Sequence, residues 1–323
     1  MLKDGHGRQV DYLRVSVTDR CDLRCFYCLP KGFKGFCGHE ERLSPEEIGR
    51  LVEAFAELGV SRVRLTGGEP LVRTDIVEVC EAVANIPGIE DLSLSTNGIR
   101  LGKLAGALKK AGVDRLNVSL DSLRAERFAE ITGGGNLQSV LDGVSAAIDA
   151  GLTPMKVNAV VMKGINDDEV EAMASYCDAH GITLRFIETM PMGQTGQDAA
   201  DRFVDLREVR ERLEATYELI PDVFPGGGPA RYVRISGTDT RIGFITPLSQ
   251  HFCDTCNRVR VGSDGVLYTC LGNEHAVPLR PWLRDGTREG LIETIRDALA
   301  RKPARHDFGG DTRVVRYMAQ TGG

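Results

Sequence analysis

The sequence predicts an α/β fold built on a parallel sheet, and three observations carry that reading. Short apolar strands alternate with amphipathic helices as far as about residue 190, a pattern that implies parallel strands joined by right-handed crossovers. About six such units are present, too few for an eight-stranded barrel, which leaves an open doubly wound sheet or an incomplete barrel. Polar oddities also gather at the C-terminal ends of the strands, where both folds bind their ligands.

The first strand, YLRVSVT (12–18), runs into a loop of three cysteines, RCDLRCFYCLP (20–30). It offers no G-x-G-x-x-G, which weakens a dinucleotide-binding reading. SPEEIGRLVEAFAELG follows as a helix, with Ser44 as N-cap, Pro45 in its first turn and Gly59 as its stop. RVRLTGG is the second strand and TDIVEVCEAVANIPG its helix; DLSLSTNG is the third, followed by LGKLAGALKKAG. RLNVSLD, the fourth, precedes two helical stretches, LRAERFAEIT and LQSVLDGVSAAIDAG. MKVNAVVM and TLRFIETM complete the set, with DDEVEAMASYCDAHG between them. After residue 190 the period breaks: MGQTGQDAADRF is polar and turn-rich, and PGGGP (225–229) reads as a linker. Strands and one late helix, TREGLIETIRDALARK, follow. The domains expected are a partial barrel over 1–224 and a smaller extension over 225–323.

Composition narrows the function classes. The 323 residues are 42% hydrophobic and 27% charged, with a formal net charge of -6. That balance argues against general nucleic-acid binding, so an anionic ligand must be met by local positive charge. The start lacks a signal-peptide pattern, and no apolar run approaches the roughly 20 residues of a membrane helix, so a cytoplasmic location is expected.

Six of the nine cysteines fall into two trios: Cys21, Cys25, Cys28, and Cys253, Cys256, Cys270. Cys80 and Cys177 sit in helical patterns as small buried hydrophobes, and Cys37 has no assigned role. Three thiolates can hold three irons of a cubane and leave the fourth open to a small chelating molecule, the logic of a reactive rather than a structural metal site. The competing reading is a zinc site completed by His39 or a distant residue. Tyr27 adds an aromatic ring that can pack beside an adenosyl group. In the second trio, Arg258 and Arg260 follow Cys256 on one face of a strand and suit an anionic ligand.

Cys21-x3-Cys25-x2-Cys28, with an aromatic before the last cysteine, resembles the signature of the radical S-adenosylmethionine superfamily. TGGEP (66–70) is similar to that family's glycine-rich motif after the second strand. The resemblance implies an incomplete (β/α)6 barrel and a [4Fe–4S] cluster on Cys21, Cys25 and Cys28. S-adenosylmethionine would bind the vacant iron and yield a 5′-deoxyadenosyl radical.

A narrower resemblance, to the GTP 3′,8-cyclase family of molybdenum-cofactor biosynthesis, runs nearly end to end. It is carried by GR-x-VDYLRVSVTDRC, TGGEPLVR, LSLSTNG, LNVSLD, MKVNAVVMKGIND, LRFIETMPMG, CDTCNRVR and the final Gly322-Gly323. It implies a second [4Fe–4S] cluster on Cys253, Cys256 and Cys270 that binds guanine through its open iron. The radical would take the ribose 3′ hydrogen, and C3′ would attack C8 to form (8S)-3′,8-cyclo-7,8-dihydro-GTP.

By motif position, Arg14, Arg64, Ser95 (or its neighbour Thr96), Lys156, Arg258 and Arg260 would contact GTP, with Val259 contributing backbone. Arg62 and Arg185 are further basic candidates. Tyr27, Gly68, Ser119 and Met190 would contact S-adenosylmethionine, and Gly322 and Gly323 would enter the active site. Thr321 stands where the family more often has a branched aliphatic residue, and Asp22 where asparagine is commoner. No general acid or base is singled out.

The implied partners are an electron donor such as flavodoxin or ferredoxin and a downstream cyclic pyranopterin monophosphate synthase. The chain would act as monomer or homodimer. Two other classes use the same cysteines: a radical enzyme with an auxiliary cluster acting on a peptide, and a non-enzymatic zinc protein. Neither needs the CNRVR arginines or the Gly-Gly end.

Overall fold

The computed structural model describes residues 1–223, 227–308 and 314–322. Its first half holds β1 (Tyr12–Ser16), α1 (Pro45–Glu57), β2 (Arg62–Thr66), α2 (Ile76–Ala84), β3 (Asp91–Thr96) and α3 (Leu101–Lys110). Next come β4 (Arg115–Ser119), α4 (Ala125–Thr132), α5 (Leu137–Asp149), β5 (Lys156–Val160), α6 (Val170–Ala179) and β6 (Thr183–Ile187). These are the six strand–helix units of the sequence. α1 starts as expected: the Ser44 hydroxyl accepts from the Glu47 N–H, the Glu47 carboxylate accepts from the Ser44 N–H, and Pro45 follows. Gly59, at φ 99°, ends it in a conformation that favours glycine.

The chain continues through α7 (Gly193–Asp198), α8 (Leu206–Glu214), β7 (Leu219–Asp222), β8 (Arg231–Ile235) and β9 (Arg241–Ile245). It then forms β10 (Arg258–Val261), β11 (Val266–Tyr268), β12 (Ala276–Pro278), α9 (Arg280–Arg284), α10 (Arg288–Ala300) and α11 (Met318–Thr321). Four helices depart from the sequence reading. α7 is a short helix inside the polar stretch, α8 falls where strands are expected, and α9 and α11 are short helices beside the one late helix expected. The apolar stripe of α8 is only Leu206, Val209 and Leu213, in an otherwise charged run, capped by the Asp205 carboxylate. A stripe that thin gives little periodic signal.

All these strands belong to one sheet, ordered β12-β11-β10-β1-β2-β3-β4-β5-β6-β9-β8-β7. From β10 through β1–β6 to β9 every neighbouring pair is parallel; the outer strands add antiparallel pairs. The C-terminal segment therefore adds one parallel strand to each side of the six-stranded core. The boundary expected at 224/225 lies among residues 224–226, outside the described residues.

The sheet is curled. Tyr12 and Arg64 of β1 and β2 line one cavity with Lys156 and Arg185 of β5 and β6. In a flat sheet β1 and β6 would stand roughly 24 Å apart, at about 4.8 Å per strand. Outward residues such as Leu13, Val15, Val63 and Leu65 join Ile48, Leu51 and Phe55 of α1 in the core. The alternate residues, Tyr12, Arg14 and Ser16 among them, face into the partial barrel. Truncating one of those outward leucines to alanine would cost about 2–5 kcal/mol. The core thus holds an inward polar surface in place.

Candidate active site

The first cysteine trio lies in the loop after β1, pressed against the end of β2. Gly68 N–H donates to Thr18 O at 2.7 Å and Glu69 N–H to Arg20 O at 2.8 Å. A Cβ at Gly68 would overlap the carbonyls of Asp19 and Arg20. The glycines of TGGEP therefore let the cysteine loop lie on the strand end. Cys21, Cys25 and Cys28 line one cavity with Tyr27, Gly68, Ser95, Ser119 and Met190. All four residues expected to contact S-adenosylmethionine thus meet the trio in one place.

Two carboxyls that the sequence analysis leaves unassigned build this cavity. Glu69 accepts from the Leu71 N–H (2.9 Å), the Asn97 N–H (2.6 Å) and the Thr96 hydroxyl (2.7 Å). Its burial pushes the carboxyl up to about 7. Asp121 accepts from the Tyr27 hydroxyl at 2.7 Å and the Val160 N–H at 2.8 Å, fixing Tyr27 to the ends of β4 and β5. Burial pushes Asp121 up to about 6. Both stand in quoted motifs, TGGEP and SLD, so position at a strand end was the available signal. Thr96 commits its hydroxyl to Glu69, while Ser95 faces the cavity.

Burial pushes the Cys21 thiol up to about 12 and Cys28 to about 11, and raises Cys25 well above its ordinary value. Such thiols ionise when a metal replaces their protons. Among the described residues, no three His, Cys, Asp or Glu side chains converge as ligands of a single ion.

Below the trio, the barrel wall is basic. Parallel register makes Arg260, Arg14, Arg64 and Ser93 successive neighbours across β10, β1, β2 and β3. Arg258 sits beside Tyr12 one step nearer the strand starts. Arg14, Arg64, Arg258 and Arg260 are only 6–8% exposed. Arg64 and Arg258 lie over the Tyr12 ring at 5.4 and 5.8 Å. Among the described residues, none of Arg64, Arg185, Arg258 and Arg260 pairs with a carboxylate. Donors of Arg64, Arg185 and Arg258 go to Ser93, Asn158, Asn117, Gly227 and Asn257. Among the described residues, the Nε atoms of Arg258 and Arg260 have no hydrogen-bond partner. Burial, with the neighbouring arginines, draws Arg260 and Arg185 down to about 10 and Lys156 down to about 6. So much buried like charge calls for an anion. Arg62 is different: level with Tyr12 and Arg258, it pairs with Asp11 at 2.9 Å.

The second trio lies at the opposite end of these strands. Cys253 and Cys256 precede β10, which is parallel to β1, and Cys270 returns to the same end after β11. Tyr12, the first residue of β1, is level with Arg258. The two trios are thus separated along the strand by roughly 16 Å, five residues at about 3.3 Å each. The arginine row lies between them. The side chain of Val259 faces the other way, into the outer core, and leaves only its backbone on this side.

The C-terminal α11 reaches the first cavity, where Met318 and Ala319 form part of the wall. The Ala319 backbone N–H works against the rise of the Cys28 thiol. Gly322 stands over Thr66 at φ 64°, and Gly323 lies outside the described residues. Thr321 is fully buried, and among the described residues its hydroxyl finds no partner, so the position would suit an aliphatic side chain. Asp22 is exposed and accepts from Asn97 and Arg100. Cys80 and Cys177 are core residues, as expected.

Comparison with known proteins places these features. Residues 15–177 match the model of the radical SAM superfamily, and residues 182–308 that of Molybdenum Cofactor Synthesis C. GTP 3′,8-cyclase 1 of Pseudomonas aeruginosa is 48% identical, over 99% of this chain and 98% of its own. GTP 3′,8-cyclase of Hydrogenovibrio crunogenus is 47% identical, over 100% and 99%. Among solved structures, Streptococcus suis SuiB bound to S-adenosylmethionine superposes with a TM-score of 0.62 at 14% identity, over 88% of this chain and 68% of that one. That last likeness concerns the fold alone. No helix among the described residues is long and apolar enough to cross a membrane. A radical SAM barrel, a matching C-terminal domain and near-half identity from end to end leave one assignment: the chain belongs to the GTP 3′,8-cyclase family of the radical S-adenosylmethionine superfamily.

Proposed function

We propose that this chain cyclises GTP to (8S)-3′,8-cyclo-7,8-dihydro-GTP, the first step of molybdenum-cofactor biosynthesis. The carrying observation is the buried arginine row lying between two cysteine trios at opposite strand ends. Cys21, Cys25 and Cys28 would hold one [4Fe–4S] cluster, and Cys253, Cys256 and Cys270 a second, each with an open iron. S-adenosylmethionine at the first cluster supplies, on one-electron reduction, a carbon radical that takes the ribose 3′ hydrogen.

The chain's own residues do the rest by positioning. Tyr27, Gly68, Ser119 and Met190 orient the cosubstrate, with Asp121 fixing Tyr27. Arg14, Arg64, Lys156, Arg185, Arg258 and Arg260 neutralise the triphosphate, and Ser95 and the backbone of Val259 complete its contacts. The base is thereby held toward the second trio and the ribose toward the first. Gly322 seals the first cavity from the side of Thr66. The product passes to a cyclic pyranopterin monophosphate synthase, and a flavodoxin or ferredoxin supplies the electron. A radical enzyme acting on a peptide would have no use for buried arginines in this number, since a peptide seldom brings clustered phosphate-like charge.

The test is 5′-deoxyadenosine formation by anaerobically reconstituted protein with dithionite and S-adenosylmethionine. GTP, but not ATP, should raise it. Cleavage indifferent to GTP would keep the radical enzyme and discard this substrate.

A further inference from the structure

Each backbone segment that carries the second trio is gripped by a cation. Arg8 donates to Cys253 O at 2.8 Å and is paired with Asp4 at 2.6 Å. Arg316 donates to Cys270 O at 3.1 Å and is paired with Glu274 at 2.8 Å. Lys302, just past the end of α10, differs from both. The residue is 2% exposed, and its ammonium donates to Arg258 O at 3.1 Å and to Thr269 O. Among the described residues, no carboxylate pairs with it. A buried ammonium satisfied only by carbonyls is costly unless an anion stands nearby.

The carbonyls that hold it indicate which anion. Arg258 lies two residues after Cys256 and Thr269 one before Cys270, so the charge is fixed between those two thiols. The first trio is gripped differently: Arg24, half-buried, donates to Cys21 O at 2.6 Å and to Leu23 O at 2.7 Å.

We propose that Lys302 is the fixed countercharge of the second iron–sulfur cluster and raises its reduction potential. The proposal rests on the second-cluster reading given above. Three thiolates leave an oxidised cubane with net negative charge, and reduction adds one electron from a low-potential donor, with no bond broken and no proton moved. An adjacent buried ammonium stabilises the more negative form; neighbouring carboxylates oppose it. Lys302 is a positioning and tuning residue, which touches neither substrate nor reacting atoms.

The experiment is a redox titration followed by electron paramagnetic resonance, on full-length protein in which Cys21, Cys25 and Cys28 are replaced by Ala. Iron content is measured first. A protein that takes up no cluster overturns the second-cluster reading, and this proposal with it. Given an intact cluster, Lys302→Gln should shift its midpoint to more negative potential, while Lys302→Arg stays near the parent value. An unshifted midpoint in Lys302→Gln overturns the proposal and leaves the second cluster standing. Loss of the cluster in Lys302→Gln with retention in Lys302→Arg also supports a charge role. Loss in both would make the lysine a matter of shape, and overturn it.

Discussion

The two cysteine trios use the same ligand atoms in different electrostatic surroundings. The charges that weigh most on the thiols of Cys21, Cys25 and Cys28 are carboxylates, Glu69, Asp22 and Asp121, with Arg24 held on the Cys21 carbonyl, and every thiol is pushed up. Around Cys256 they are Lys302, Arg258 and Arg260, and that thiol is drawn down despite its burial, while burial still raises Cys253. S-adenosylmethionine brings a sulfonium and an ammonium; GTP brings a polyanion. On the function proposed above, the carboxylates would face the cationic groups of the cosubstrate and the arginines the anionic substrate, so charge would help to sort two ligands that each want an open iron. Spacing between cysteines specifies a cluster; the residues around them specify what the cluster is for.

The sharpest break of this comparison is to remove one trio at a time. Cys28→Ala should abolish 5′-deoxyadenosine formation under all conditions. Cys256→Ala should retain it with S-adenosylmethionine and dithionite but lose both its stimulation by GTP and the cyclised product. Product and 5′-deoxyadenosine are quantified together by chromatography. If Cys256→Ala still cyclises GTP, the division of labour between the trios is wrong.

The basic side is tested next. Arg260→Ala deletes a buried guanidinium whose Nε is without a partner. A hydrogen bond to a charged group contributes about 1.5–3 kcal/mol, so GTP should bind about 10- to 150-fold more weakly. Iron content should stay at the parent value. Unchanged affinity by calorimetry would remove this row from the substrate site.

Lys156 supplies a smaller effect with a defined sign. Burial, then Arg185, Arg115 and Arg64, depress its pKa to about 6, so in the free protein it is mostly neutral above that pH. A triphosphate beside it raises the pKa, so binding takes up a proton above about pH 6. Affinity should be fully developed below that pH and fall as pH rises, by at most about tenfold per unit. Calorimetry in buffers of different ionisation enthalpy reads the proton directly. Comparison with Lys156→Met separates it from protonation of the phosphate itself, and an identical uptake in that variant would refute the assignment.

Much of this was legible in the sequence because it depends on local pattern. The βα period gave the six strands, and the strand-end motifs gave the cavity wall. Arg258 and Arg260 share a face because a strand alternates, whatever it pairs with. What stayed hidden is what depends on partners distant in the chain. That β10 would pair in parallel with β1, bringing Arg260 level with Arg14, has no signature in either segment. Lys302 reads as one more basic residue at a helix end until Thr269 and Arg258 are folded around it. α8 was missed for a different reason: three apolar residues among charges meet too little core to impose a visible period.

The tail offers the finest test, since it comes from the C-terminal segment yet docks at the first trio, where Met318 and Ala319 line the cavity. Gly322 has φ 64°, and a Cβ there would collide with Cγ2 of Thr66 and lie 2.9 Å from its Oγ1. Gly322→Ala therefore carries two separable penalties. The left-handed backbone costs alanine about 1 kcal/mol wherever the tail docks, enough for roughly a fivefold loss of docked population where docking is marginal. The collision adds to that, and it depends on Thr66. Thr66→Ser removes Cγ2 and keeps the hydroxyl. In the double variant turnover should recover part of the way, because the backbone penalty remains, with iron content unchanged throughout. A double variant no better than Gly322→Ala alone would mean that the two residues do not meet in the working enzyme. The tail would then have to be withdrawn from the first site, leaving that trio enclosed by barrel residues only.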